Sequence, residues 1–177
     1  MTRYAAFLRG VNLGARTVKS ADLLAVFERV GLSGVKTLLA SGNVMFDSDE
    51  TAEALRPRIE TALEQKFGFA VGTVLRTQGE LRALVAADPF AGKTETADLK
   101  LYVTLLATPD AERLPLPCAL PGDFEVVNCT KSEIFHEAYR MPSGRYGAGA
   151  TLIGKGLGKT VLWTNRNWNT IVKAAEA

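Results

Sequence analysis

The chain has 177 residues, 47% of them hydrophobic and 23% charged, and 21 Lys and Arg stand against 19 Asp and Glu for a net charge of +2. This composition excludes a disordered chain, a collagen-like repeat and a disulfide scaffold, and a chain of this size buries roughly 70% of its unfolded surface without metal or crosslinks. So even a balance supplies no general field for gathering nucleic acid or anionic membrane, and only a local basic patch would serve such partners.

Residues 4–9 are a short apolar run stopped by Gly10, the pattern of a strand. Ser20 is placed to cap a helix in which Leu23, Leu24, Phe27 and Val30 recur at spacings of three and four, with Gly31 as its stop. Residues 35–39 and 43–47 read as two strands around a turn at Ser41-Gly42. A second helix falls within 51–67, with Ile59, Leu63 and Phe67 on one stripe, and Pro57 moves its regular start to near Arg56. Residues 71–76 make a fourth strand, so the order is βαββαβ. Thr77-Gln-Gly-Glu80 then has capping-box spacing and opens a short helix through Leu81, Leu84 and Val85, halted at Asp88-Pro89. Residues 92–98 are small and polar and read as a linker.

The second half starts with a strand over 99–106. A short helix follows Thr108-Pro109-Asp110, kept brief by Pro115, Pro117 and Pro121, and strands follow at 124–127 and 133–139. Between 144 and 158 the helix signal fails, because Gly147, Gly149, Gly154, Gly156 and Gly158 each cost a helix about 1 kcal/mol relative to Ala. Residues 160–163 read as the last strand and 165–175 as a closing helix with Trp168, Ile171, Val172 and Ala175 on its apolar face. Repeated βαββαβ order predicts an α+β fold of two tandem ferredoxin-like halves, 1–92 and 99–177, the second carrying the C-terminal helix.

Chemistry is less legible. A single histidine, His136, and two separated cysteines, Cys118 and Cys129, provide neither a familiar zinc set nor a Ser-His-Asp or Cys-His engine. The cysteines read as free thiols of a reducing compartment, the start of the sequence does not read as a signal peptide and no apolar run in it is long enough to span a bilayer, so a cytoplasmic protein is expected. Gly154-Lys-Gly-Leu-Gly-Lys-Thr160 resembles a phosphate loop, but Ile153 stands where its first Gly belongs and a strand-like run follows where a helix should. A flexible basic turn is the better reading. Gly10-Val-Asn-Leu-Gly-Ala-Arg-Thr17 lacks the Gly-Lys pair yet suits an anion-contacting loop, with Asn12, Arg16 and Lys19 as donors. An RNA-recognition surface would need aromatic rings on the two central strands, whereas alternation in 43–47 sends Val44 and Phe46 to the helix side and leaves Asn43, Met45 and Asp47 outside. Finally, Thr164-Asn-Arg-Asn-Trp-Asn-Thr170 crowds Arg166, Asn167 and Asn169 at an expected helix start, a donor-rich place for phosphate or carboxylate.

These stretches carry a resemblance. Arg9-Gly-Val-Asn-Leu-Gly14, Ser41-Gly-Asn-Val-Met-Phe46, Asp88-Pro-Phe90 and Thr164 to Thr170 resemble, in order, the signature stretches of the bacterial domain-of-unknown-function family DUF1697. The sequence departs from the family pattern at Ala15 and across 147–158. The resemblance implies two ferredoxin-like halves and brings no catalytic residues. Together these readings lead us to expect a small anionic ligand between the halves, with Arg9 and Arg166 pairing with its charge and Asn12, Ser41, Asn43, Asn167 and Asn169 orienting it. No metal or cofactor is expected. The alternatives are a nucleic-acid module using Arg9, Arg16, Lys19, Lys155, Lys159 and Arg166, or an interaction protein whose asparagines only tie the fold.

Overall fold

A computed structural model describes residues 1–11, 18–39, 42–111, 114 and 118–177. They fall into two compact units, Met1–Ala83 with Val172–Ala177, and Leu84–Ile171.

In the first unit the apolar run becomes β1 (Thr2–Arg9), followed by α1 (Ser20–Arg29), β2 (Ser33–Thr37), β3 (Asn43–Ser48), α2 (Ala52–Phe67) and β4 (Gly72–Thr77). The sheet order is β2-β3-β1-β4 and all pairings are antiparallel, the ferredoxin-like arrangement. Period-two alternation sends Tyr4, Ala6, Leu8, Val44 and Phe46 to one core with Leu23, Phe27, Leu55, Ile59 and Leu63 of the two helices. Tyr4 stacks on Phe46 at 5.4 Å and Phe27 tilts onto the same ring at 5.5 Å. On the other side of the strands Ala5, Phe7, Met45 and Val74 are buried as well. The expected open face is therefore covered, and Phe7 offers no ring to a base.

Two helix starts differ from expectation. Lys19, in extended conformation, occupies the N-cap of α1, and Ser20 is the first helical residue. Helix α2 begins at Ala52 and carries Pro57 within it, because Thr51 caps the start by accepting from the Ala54 amide at 3.4 Å and Leu55, Ile59 and Leu63 bury the inner stripe. Packing outweighs the one backbone bond that proline removes. Gly68 ends the helix at φ 76°, where its own amide reaches the Glu64 carbonyl.

The capping box forms as expected at the start of α3 (Gln78–Ala86): the Thr77 amide donates to Glu80 Oε2 at 2.6 Å and the Glu80 amide to Thr77 Oγ1 at 3.1 Å. Replacing Thr77 by Ala is expected to lower stability by about 1 kcal/mol in a urea titration, the usual loss for a cap.

The second unit contains β5 (Leu99–Leu106), β6 (Ala119–Leu120), β7 (Phe124–Cys129), β8 (Glu133–Tyr139), α4 (Gly149–Leu157) and β9 (Trp163–Asn167), with α5 (Trp168–Glu176) beginning in it. Its antiparallel sheet runs β6-β7-β8-β5-β9, the ferredoxin-like order with β6 added at one edge. The expected helix after Asp110 falls largely outside the described residues.

Where the helix signal fails, α4 forms, and its glycines explain why. A Cβ on Gly149 would lie 2.8 Å from the Phe124 ring, and one on Gly154 would lie 2.0 Å from Trp163 Cζ2. Bare Cα atoms let the helix lie close on the sheet, where Ile153 and Leu157 join Phe124, Ile134 and Leu106 in the core. Burial thus offsets a poor propensity. The glycine-rich stretch consists of the end of α4 and the turn at Gly158, φ 85°, so it has helix-then-loop order, as its poor fit to a phosphate loop predicts.

The final strand is shifted from 160–163 to Trp163–Asn167, because that is the segment running alongside β5: Trp163 faces Leu106 and Asn167 faces Tyr102. The division between units also differs from the expected linker. It falls within α3 and α5, while residues 92–98 are tied into the second sheet through Glu95 and Thr96, which accept from the Leu101 amide at 3.0 Å and the Leu99 amide at 3.1 Å.

Candidate functional site

The expected site residues divide between the units. Arg9 ends β1 opposite Gly72 and is exposed. Asn43 is buried at the start of β3, where its Nδ2 donates to the Leu38 carbonyl at 3.2 Å and its own carbonyl accepts from the Leu38 amide at 2.9 Å, so it fastens the turn between β2 and β3. Asn12 and Ser41 lie outside the described residues. Of the residues in the nucleic-acid alternative, Arg16 also lies outside them. Arg9 and Lys19 belong to the first unit, and Lys155, Lys159 and Arg166 to the second.

Arg166, Asn167 and Asn169 are in the second unit, but only Asn169 is helical; Arg166 and Asn167 lie on β9. The Arg166 guanidinium donates to Thr164 Oγ1 at 2.6 Å and to the Asn165 carbonyl at 2.7 Å. Burial holds its pKa down to about 10, still fully charged at neutral pH.

Asn167 and Asn169 do converge, on Glu95. Its Oε1 accepts from the Leu101 amide and from Asn167 Nδ2; its Oε2 accepts from Lys100 Nζ at 3.2 Å and from Asn169 Nδ2 at 3.1 Å. The carboxylate is mostly buried, with 14% of the side chain exposed. Strand pairing creates this meeting. Lys100 and Leu101 stand on β5, Asn167 lies opposite Tyr102 on β9, and Asn169 follows in the first turn of α5, where Asn167 Oδ1 also accepts its amide at 3.0 Å. The hydrogen bond to Glu95 raises the Lys100 pKa, while burial and then the Glu95 charge raise that of Tyr102. The Lys100 ammonium lies 5.7 Å from the centre of the Tyr146 ring, whose hydroxyl donates to the Ala97 carbonyl at 2.6 Å.

Behind Tyr102 lies His136. The two rings stack at 5.5 Å, the Phe124 ring meets His136 edge-on at 6.4 Å, and the imidazole is buried with no hydrogen-bond partner for Nδ1 among the described residues. On the opposite face of the sheet the buried Glu137 accepts from Lys93 Nζ at 2.6 Å and the Tyr139 hydroxyl at 2.9 Å; burial, then the Glu137 bond, pushes the Tyr139 pKa up to about 12. A separate groove of about 480 Å³ in the first unit is lined by Arg29, Pro57, Arg58, Thr61 and Gln65. Its Arg58 is held by Glu50 and by the Val30 carbonyl at 2.8 Å.

Sequence reading finds the two asparagines but misses Glu95 and Lys100. Glu95 sits in a stretch read as linker, and Lys100 is one polar residue in a strand; only the pairing of β5 with β9 brings them together. Among the described residues no group of three or more His, Cys, Asp or Glu is placed to hold a metal, and no helix is long and apolar enough to cross a membrane.

No curated protein is significantly similar to the chain. The solved structure of a conserved bacterial protein, SP0830 from Streptococcus pneumoniae, superposes with a TM-score of 0.72 over 99% of this chain and 97% of that one, at 22% identity. At that identity the likeness is one of fold. The sequence model of a family described as protein of unknown function (DUF1697) matches residues 1–135, which include Glu95 and Lys100 and stop short of Asn167 and Asn169. With most of its length matched, the chain belongs to the DUF1697 family.

Proposed function

We propose that this is a cytoplasmic protein that binds a small anionic ligand, bearing a phosphate or carboxylate, in its second unit. The observation that carries the reading is the convergence on a single anion of four donors: Lys100 Nζ, the Leu101 amide and the side-chain amides of Asn167 and Asn169. They come from β5, β9 and α5, and a charge-assisted donor flanked by neutral ones both attracts and orients an anion. Arg166, which the sequence suggests as the charge partner, is occupied with its own strand, and Lys100 takes that role. Less supports a nucleic-acid module, since Phe7 is buried and the basic residues are dispersed over both units.

Calorimetry with inorganic phosphate and with acetate tests the reading. Lys100→Met is expected to weaken binding roughly ten- to a hundredfold, the effect of removing a charge-assisted donor, and Asn169→Ala by about three- to tenfold, that of a neutral one. Asn169 is exposed, so its variant should keep the wild-type unfolding midpoint. Equal affinity in wild type and both variants would remove the anion from this site.

A further inference from the structure

We infer that the Glu95 side chain is a displaceable occupant of this donor set, and that the ligand which takes its place is a small carboxylate. The inference rests on the anion-binding reading above and adds the class of anion and the manner of its entry.

Geometry and charge select the class. The donors are divided two and two between the oxygens of a planar group: the Leu101 amide and Asn167 on Oε1, Lys100 and Asn169 on Oε2. That pattern uses the four lone-pair positions of one carboxylate. A phosphate would bring at least one further oxygen, two for inorganic phosphate, and up to two charges to a set whose one cation is Lys100. A monoanionic carboxylate meets the same partners that Glu95 meets.

The backbone around Glu95 is fixed, so displacement is a rotation of its side chain. Thr96 binds the Leu99 carbonyl through its amide at 3.0 Å and accepts from the amides of Asp98 and Leu99, while Tyr146 holds the Ala97 carbonyl. On the other side Lys93 is bound to Glu137 at 2.6 Å. Between these anchors Glu95 is a tethered competitor: it is always present at a high effective concentration and lowers the affinity for any free carboxylate by the fraction of time it occupies the donors. Turned out, its charge passes into water and the site stays neutral overall, because one carboxylate replaces another.

The test is an NMR titration of the full chain with acetate and, separately, with inorganic phosphate, following the side-chain amides of Asn167 and Asn169 and the carboxyl carbon of Glu95. In the wild type acetate is expected to move all three signals to saturation with one common dissociation constant. In Glu95→Ala the two amides should saturate at an acetate concentration about tenfold lower or less, the gain from removing a tethered competitor. Glu95→Gln, which keeps the shape and loses the charge, should also bind acetate more tightly than wild type, and decides the matter if the alanine variant does not fold. Phosphate binding at these amides without acetate binding would overturn the carboxylate class and leave the anion site standing. Acetate binding only in the Glu95 variants, with no response in the wild type up to high millimolar acetate, would make Glu95 a permanent strut and overturn the displacement. No response of the amides to either anion in any of the three proteins would overturn the anion site itself.

Discussion

Gly154→Ala is expected to destabilise the second unit by about 2 kcal/mol, although alanine is the better helix former by about 1 kcal/mol. The new Cβ would lie 2.0 Å from Cζ2 and 2.7 Å from Cε2 of the Trp163 indole. A rigid, half-buried ring packed on the core cannot yield as the end of a flexible chain would, so either α4 lifts from the sheet or the indole leaves its place. Overpacking of this kind typically costs about 1–3 kcal/mol, and more where backbone must move. Urea unfolding of Gly154→Ala, Trp163→Leu and the double variant reads the effect. The double variant should be more stable than the sum of the single losses predicts, because the smaller residue makes room for the methyl. A stabilised Gly154→Ala would mean that helix propensity decides this position and that α4 does not lie so close.

Acid is expected to weaken the fold through His136. Burial between Tyr102, Phe124 and Gly149 depresses its pKa from 6.5 to about 4, and among the described residues its Nδ1 has no hydrogen-bond partner. The folded chain keeps this imidazole neutral down to about pH 4, whereas the unfolded chain protonates it near pH 6.5. Between those values the unfolded state binds the extra proton, so stability is full above about pH 6.5 and falls as the pH drops towards 4. The difference corresponds to about 3 kcal/mol at 1.4 kcal/mol per unit. Denaturant midpoints measured at pH 7 and pH 4.5 check this. His136→Leu should remove most of the drop, having nothing to protonate at that place. A wild-type midpoint that does not change over this interval would show that the buried imidazole takes its proton without cost.

Local patterns were legible where the physics is local. β5 and β8 are found at their expected bounds, because strands buried on both faces leave little choice of register. The Thr77 and Glu80 box needs only neighbours in the chain. Long-range packing set the rest. Pro57 argued for a late start of α2, yet the Thr51 cap and the buried stripe through Leu55 carry the helix across it. The glycines of 149–157 read as helix breakers, whereas close approach to Phe124 and Trp163 is what they provide. Asn165 and Asn167 are poor strand formers in isolation, and they hold strand conformation because Thr104 and Glu95 meet their side chains at 3.1 Å for the first and by a short bond for the second. The same distinction governs the site. Asn167 and Asn169 are readable as donors from their crowding alone, while their acceptor stands more than seventy residues earlier in a stretch with no secondary-structure signal.

The grouping of residues 172–177 with the first unit bears on the order in which the molecule takes shape. Arg82 Nε donates to the Ala175 carbonyl at 3.0 Å and Lys36 Nζ to the Ala177 carbonyl at 3.4 Å, and Ala174 and Ala175 are buried. A ribosome makes those six residues only after the entire second unit has been synthesised. The half that emerges first is therefore the last to be finished: its strands and helices can pair as they appear, but it must wait through the synthesis of 88 further residues, Leu84–Ile171, for its closing segment. The closing segment thus joins the first unit only after the second has been made, and translation speed across the second unit sets how long the first stands incomplete.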